Sequence, residues 1–110
     1  MSITVDEYDY FVETTSVWED STYPLLGLAG ETGEAIDRIK KLWRQYGEDW
    51  NTKLTEEERR EVINELGDIQ WYITRILHMV EADLEEMIHE NVSKLIQRGR
   101  VPDVISMEAR

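Results

Sequence analysis

The sequence has no cysteine, and only two prolines and six glycines occur among its 110 residues. Without cysteine, disulfide bonds and thiolate ligands to metals are excluded. No stretch approaches the roughly 20 apolar residues of a membrane-spanning helix, and residues 1–30 lack a positive segment followed by an apolar run. We therefore expect a cytoplasmic protein that has no contact with a membrane.

Basic residues are also scarce, because 12 lysines and arginines stand against 24 aspartates and glutamates, which gives a net charge of -12. Nonspecific nucleic-acid binding needs a basic surface that displaces counterions from phosphates, so we expect no nucleic-acid partner. A phosphorylated small molecule stays compatible with this charge, since a bound cation can invert the local field.

Helical spacing of apolar residues runs through most of the chain. Capping patterns such as Thr4-x-x-Glu7 and Thr55-x-x-Glu58, together with Pro24 in a first turn, predict helices over about 4–18, 21–47, 55–80 and 83–99. Four helices joined by short loops predict an all-α, antiparallel four-helix bundle. We expect a single domain over residues 1–100, followed by a C-terminal tail over 101–110. Association of copies would help so small a domain to bury apolar surface.

Each of the two central helices carries an apolar stripe. The stripe of the second helix comprises Leu25, Leu28, Ala35, Ile39 and Leu42, and that of the third comprises Val62, Leu66, Ile69, Ile73, Ile76 and Val80. If these stripes pack together, the residues at their borders meet at one seam between the helices.

Two acidic pairs with i,i+3 spacing lie at those borders, Glu31/Glu34 and Glu65/Asp68. At about 100° per residue the members of each pair share a helix face, so packing of the stripes would gather all four carboxylates. Like charges repel, and a hard divalent cation such as Mg²⁺ would relieve the repulsion through oxygen ligands. The alternative is that they are solvated edge residues, because this spacing arises easily in an acidic chain.

Basic and amide side chains could serve phosphate oxygens. Arg38 and Lys41 project from the Glu31/Glu34 face, and Asn91, Lys94 and Arg98 form an i, i+3, i+7 row on the fourth helix. Cations near a helix C-terminus also stabilise the helix dipole, which is the alternative for Lys94 and Arg98.

Aromatic residues and histidines offer fewer candidates. Trp50, in the predicted loop, is the best candidate to stack on a nucleobase, whereas Trp43 and Trp71 are expected in the core or in a dimer contact. Glu86-x-x-His89 is half of a di-iron motif, but the second copy is missing, so we expect no such centre.

Together these segments resemble the MazG-like, all-α nucleoside triphosphate pyrophosphohydrolases, whose pattern is E-x-x-E, an interval, E-x-x-D and then N-x-x-K. The match covers about residues 24–98, with a long interval of 30 residues between Glu34 and Glu65. The resemblance implies hydrolysis of a nucleoside or deoxynucleoside triphosphate to the monophosphate and pyrophosphate. It further implies Mg²⁺ as the cofactor, with Mn²⁺ as a substitute, and a homodimer or homotetramer.

The resemblance also implies roles for individual residues. Glu31, Glu34, Glu65 and Asp68 would be the metal ligands, with Glu31 or Glu34 orienting the attacking water. Asn91 and Lys94 would contact the substrate phosphates, assisted by Lys41 and Arg98. Two alternatives stay open: a non-catalytic acidic binding or inhibitor module that mimics anionic ligands, and a phosphoribosyl-ATP pyrophosphohydrolase.

Overall fold

The computed structural model describes residues 1–16 and 20–99. These residues form four helices, α1 (Val5–Thr15), α2 (Thr22–Tyr46), α3 (Glu56–Met79) and α4 (Leu84–Gln97), with a 3₁₀ turn at Trp50–Thr52 and no strand. The predicted all-α class is therefore confirmed. The predicted end of the first helix, Trp18, and the predicted tail over 101–110 lie outside the described residues.

Local capping interactions begin three of the helices where the sequence predicts. The Thr4 hydroxyl accepts the Glu7 N–H at 3.1 Å, and the Glu7 carboxylate accepts the Thr4 N–H at 3.0 Å. Thr55 and Glu58 repeat this reciprocal arrangement at the start of α3. Asp83 accepts a single backbone bond from Glu86 at the start of α4. These bonds satisfy N–H groups that have no partner inside the helix.

Helices α2 and α3 form the main antiparallel pair, and α1 packs against both α3 and α4. Two contacts show the register between α2 and α3. Gly27 of α2 lies against the ring of Tyr72, and Arg38 of α2 bonds to Glu61. Between these two contacts, residues of α2 near Glu31 must face residues of α3 near Asp68.

Asp9 joins three helices at a buried position. One carboxylate oxygen lies 3.1 Å from His78 Nε2 near the end of α3, and both oxygens accept the Leu84 N–H at 3.1 Å. Asp9 is only 9% exposed, so its removal would leave these groups without a partner in a place that water reaches poorly. This carboxylate therefore helps to fix the position of α1 against α3 and α4.

Replacement of this carboxylate gives a stability prediction. Asp9→Ala should lower the free energy of unfolding by about 1–3 kcal/mol, since a buried donor is left unsatisfied. Asp6→Ala, at an exposed position of the same helix, is the control and should change it by about 0.5 kcal/mol or less. Chemical denaturation measures both, and equal effects of the two substitutions would contradict the bridging role.

The predicted apolar stripes are covered only in part. Leu25 is 52% exposed, Leu66 51% and Val80 69%, so these members of the predicted stripes are not covered by the rest of the described chain. In the described chain, the buried hydrophobic side chains are Val12, Ala35 and Leu42, and Pro24 is buried as well. The radius of gyration is 16.8 Å, against about 13 Å for a compact domain of 100 residues. The helices thus form an open arrangement rather than one closed around a single core.

Trp43, which the sequence places in a core or dimer contact, is 51% exposed and lies outside the core of the chain. Trp71 is half-buried and its indole N–H donates to the Thr15 hydroxyl at 3.1 Å. Among the described residues, no helix has the length and apolarity to cross a membrane.

Candidate metal centre

Three carboxylates meet at the seam between α2 and α3. Glu31 of α2, together with Glu65 and Asp68 of α3, each place one oxygen within 4.8 Å of the other two. The i,i+3 spacing puts Glu65 and Asp68 on one face of α3, and the antiparallel register brings Glu31 opposite them. We call these three residues the carboxylate cluster.

The charge of the carboxylate cluster is not relieved by basic side chains. None of the ion pairs found among residues 1–16 and 20–99 involves Glu31, Glu65 or Asp68. In addition, Glu65 Oε2 is buried and has no hydrogen-bond partner. A buried carboxylate oxygen without a partner is costly, which favours an additional ligand at this position.

Burial and neighbouring charges both act on Glu31. Its pKa is raised above the ordinary 4.5, first by burial and then by the charges of Glu34, Asp68 and Glu65. Glu34 is exposed and stays outside the carboxylate cluster, but its side chain contacts that of Glu31. The other three predicted carboxylates therefore all act on Glu31, with Glu34 at the solvent side.

The raised pKa of Glu31 predicts a stability effect in the metal-free protein. Because the folded-state pKa lies above the unfolded value, the stability that Glu31 contributes is present at low pH and is lost as the pH rises through the folded pKa. Glu31→Gln should therefore raise the Tm at pH 7 in EDTA, and this advantage should shrink below pH 4.5.

Glu58→Gln is the control of opposite sign for this measurement. The pKa of Glu58 is lowered, chiefly by the hydrogen bond that its carboxylate accepts from Tyr46, so loss of its charge should lower the Tm at pH 7. A Glu31→Gln protein that melts below the wild type in EDTA would contradict the repulsion described here.

The residues predicted to contact phosphates lie at several places. Lys41 is exposed and pairs with Asp37 at 3.0 Å. Asn91 and Lys94 line an open cavity of about 510 Å³ on α4, which no residue of the carboxylate cluster lines. Arg98 follows the last residue of α4 and is exposed. Within the described chain, the structure thus brings the carboxylates together but leaves the α4 row at a separate cavity.

Trp50, the predicted stacking residue, lies in the 3₁₀ turn after α2 and is half-buried. At about 1.5 Å per residue, it is separated from Glu31 by more than about 20 Å along α2. Two tyrosines that the sequence reasoning missed are closer to the carboxylates. The pKa values of Tyr8 and Tyr72 are raised, mainly by burial, and the charge of Asp68 adds to both shifts.

A sequence signal existed for one of these tyrosines. Tyr72 follows Asp68 by four residues on α3 and so lies on the same helix face. Tyr8 offered no such signal, because its approach to Asp68 depends on how α1 packs against α3.

The fold and site together define an all-α protein in which carboxylates from two antiparallel helices converge at one seam. Residues 20–104 match the MazG nucleotide pyrophosphohydrolase domain, and the chain belongs to this all-helical family. The chain is similar to the Gene 37 protein of Mycobacterium phage L5, with 29% identity over 103 residues, which cover 86% of this chain and 87% of that protein. No solved structure matches.

Proposed function

We propose that the protein hydrolyses a nucleoside or deoxynucleoside triphosphate to the monophosphate and pyrophosphate in a Mg²⁺-dependent reaction. The observation that carries this proposal is the convergence of Glu31, Glu65 and Asp68 without any basic partner in the described chain. Membership of the MazG nucleotide pyrophosphohydrolase family supplies the reaction class.

The donor set fits Mg²⁺, because it consists of carboxylate oxygens and includes the unpartnered Glu65 Oε2. Glu31, Glu65 and Asp68 would hold the cation, with Glu34 available as a further ligand. Bound Mg²⁺ would neutralise phosphate charge and lower the pKa of a coordinated water. Mn²⁺ should substitute, since it accepts the same ligands.

The chain's own residues then position the substrate and the water. Glu34 is exposed and lies beside the carboxylate cluster rather than within it, so its oxygens can accept a proton from an attacking water. Glu31 would share this orientation of the water while binding the cation. Little covalent chemistry is required of the protein, because phosphoryl transfer depends mainly on positioning and charge neutralisation.

The experiment that tests this function is a substrate panel. The protein is incubated with Mg²⁺ and each of the nucleoside and deoxynucleoside triphosphates, as well as phosphoribosyl-ATP, and the products are assayed for pyrophosphate and orthophosphate. Pyrophosphate and a monophosphate from a triphosphate would support the proposal. Release of orthophosphate would refute it, and turnover of phosphoribosyl-ATP alone would favour that activity instead. If the protein shows no turnover and no Mg²⁺-dependent stabilisation, the acidic binding module is favoured instead.

We further propose that a second copy of the chain covers its exposed apolar side chains, giving a homodimer or homotetramer. At about 100° per residue, Leu25, Ile36 and Trp43 share one side of α2, and all three are exposed. Ile63 and Leu66 of α3 are also exposed. Exposed apolar residues in this number are typical of a chain that buries them by association.

The oligomer proposal predicts the result of a light-scattering measurement. The wild type should have at least twice the mass of 13.0 kDa, and Trp43→Glu should lower the mass toward one chain, because a charge would enter the apolar contact. Gln45→Glu adds the same charge at an exposed position of α2 and should leave the mass unchanged. A monomeric wild type would refute this part of the proposal.

A further inference from the structure

An ion pair between Arg38 and Glu61 crosses the seam beside the carboxylate cluster. Arg38 Nε donates to Glu61 Oε2 at 2.8 Å, and Arg38 Nη2 bonds to the same oxygen. The pair is partly buried, with side-chain exposures of 32% and 41%. In the part of the chain that the structure describes, the other ion pairs of lysine and arginine lie within one helix, so Arg38 is the one such cation paired across two helices.

The pair lies one helical turn from the carboxylates. Arg38 follows Glu34 by four residues on α2, and Glu61 precedes Glu65 by four residues on α3. Arg38 is therefore the first basic residue that follows Glu34 on α2, about one helical turn further along the helix axis. Lys40 and Lys41, the next basic residues of α2, bond instead to Asp37 on the outer surface.

The bonds to Glu61 use only some of the hydrogen-bond donors of the Arg38 guanidinium. A guanidinium has five N–H donors in a planar fork, and Glu61 engages two of its nitrogens through a single oxygen. Arg38 Nη1 has no hydrogen bond within the described residues. Its free donors suit a phosphate oxygen, because arginine binds phosphate in a bidentate manner.

Glu61 also determines whether the Arg38 guanidinium can reach the carboxylate cluster. Glu65, which lacks a basic partner, lies one helical turn from Glu61, and a guanidinium released from Glu61 could swing toward it and neutralise it in place of a metal ion. The bond to Glu61 holds the guanidinium of Arg38 against α3, one helical turn before Glu65. The arrangement therefore leaves the carboxylates available for a cation while a positive charge is retained beside them.

We propose that Arg38 binds the phosphate chain of the substrate next to the carboxylate cluster, and that Glu61 is the positioning residue that holds its guanidinium there. This inference rests on the proposed function, and it adds a substrate-binding residue to that same site. It concerns the end of the site that points toward the C-terminus of α2, opposite the end where Gly27 meets Tyr72.

The first test uses inorganic pyrophosphate as the probe, with calorimetry at saturating Mg²⁺. Arg38→Gln should weaken pyrophosphate binding about 10- to 100-fold, because a charge-assisted bidentate contact is lost. Arg38→Lys should recover only part of this loss, since a lysine keeps the charge without the fork. Arg59→Gln is the control, because Arg59 pairs with Glu56 in the exposed first turn of α3, and it should bind pyrophosphate as the wild type does.

The second test measures the Mg²⁺ concentration that gives half-maximal thermal stabilisation, which requires no turnover. Glu61→Gln should raise this concentration several-fold, because the released guanidinium competes for the carboxylates. Adding Arg38→Gln to that variant should bring the concentration back toward the wild-type value. If Glu61→Gln acts only by removing a negative charge near the site, it will raise the Mg²⁺ concentration by the same factor with or without Arg38. Such additive effects in this double-mutant cycle would overturn the positioning role.

The outcomes separate this inference from the proposed function. If the pair is only a tie between helices, Arg38→Gln and Glu61→Gln will lower the Tm alike and leave pyrophosphate affinity unchanged, which overturns the inference alone. A wild-type protein that binds Mg²⁺ but not pyrophosphate also counts against it. A wild type whose stability does not respond to Mg²⁺ at all would refute the metal centre itself.

Discussion

Asp68→Asn and Glu65→Gln are each expected to reduce Mg²⁺-dependent release of pyrophosphate by at least about 100-fold. Each substitution replaces a charged oxygen ligand of the carboxylate cluster by a neutral amide of nearly the same shape. The Mg²⁺-induced rise in Tm should be lost together with turnover, while the helical circular dichroism signal should stay as in the wild type. Initial rates and thermal melts, with and without Mg²⁺, measure both effects.

Two companion variants make this result specific. Glu57→Gln removes an exposed carboxylate from the first turn of the same helix and should keep both turnover and the Mg²⁺ response. Glu34→Gln should lose turnover but keep most of the Mg²⁺-induced stabilisation, because Glu34 lies outside the group of three converging oxygens. Retained turnover in both Asp68→Asn and Glu65→Gln would dispose of the proposed mechanism.

Gly27→Ala is expected to have the next largest effect. A Cβ atom at this position would lie 2.2 Å from Cε1 and 2.4 Å from Cζ of the Tyr72 ring, so the ring or the helices must move. Such overpacking costs about 1–3 kcal/mol, which corresponds to a fall in Tm of about 5–15 °C. Turnover should fall as well, because Glu31 lies one turn beyond Gly27 and would shift relative to Asp68.

The other glycines of α2 provide a matched control. Neither Gly30 nor Gly33 would place a Cβ atom within 4 Å of a neighbour, so alanine at either position should stabilise the helix by about 0.5–1 kcal/mol. The cost of Gly27→Ala should largely vanish in a Tyr72→Ala background, since the clashing ring is then absent. Equal Tm values for Gly27→Ala and Gly30→Ala would contradict the close contact.

The parts of the fold that depend on neighbours in the chain could be predicted from the sequence. Both capping boxes form as expected, because a threonine and a glutamate three residues apart satisfy each other's backbone groups without help from the rest of the molecule. The same applies to Glu65 and Asp68, whose shared helix face follows from their spacing alone. Their meeting with Glu31 followed from the apolar stripes on the two helices.

The parts that depend on how far apart the helices lie could not be predicted. Periodicity shows that Leu25 and Leu66 belong to apolar faces, but it cannot show whether the same chain or another copy covers them. The separation of Glu34 from the carboxylate cluster depends on the rotation of α2, which the contact between Gly27 and Tyr72 helps to set. The pairing of Arg38 with Glu61 joins residues 23 positions apart and likewise depends on the register between helices.

The antiparallel register of α2 and α3 determines which changes in chain length the site can tolerate. Residues 47–55 connect the two helices at the end remote from Glu31, so a change in the length of this connection should leave the facing carboxylates in place. An insertion of one residue between Gly27 and Glu31 is a different case, because it would turn Glu31 by about 100° relative to the Tyr72 contact. The site therefore tolerates a change of length in residues 47–55, but not within the turn of α2 between Gly27 and Glu31.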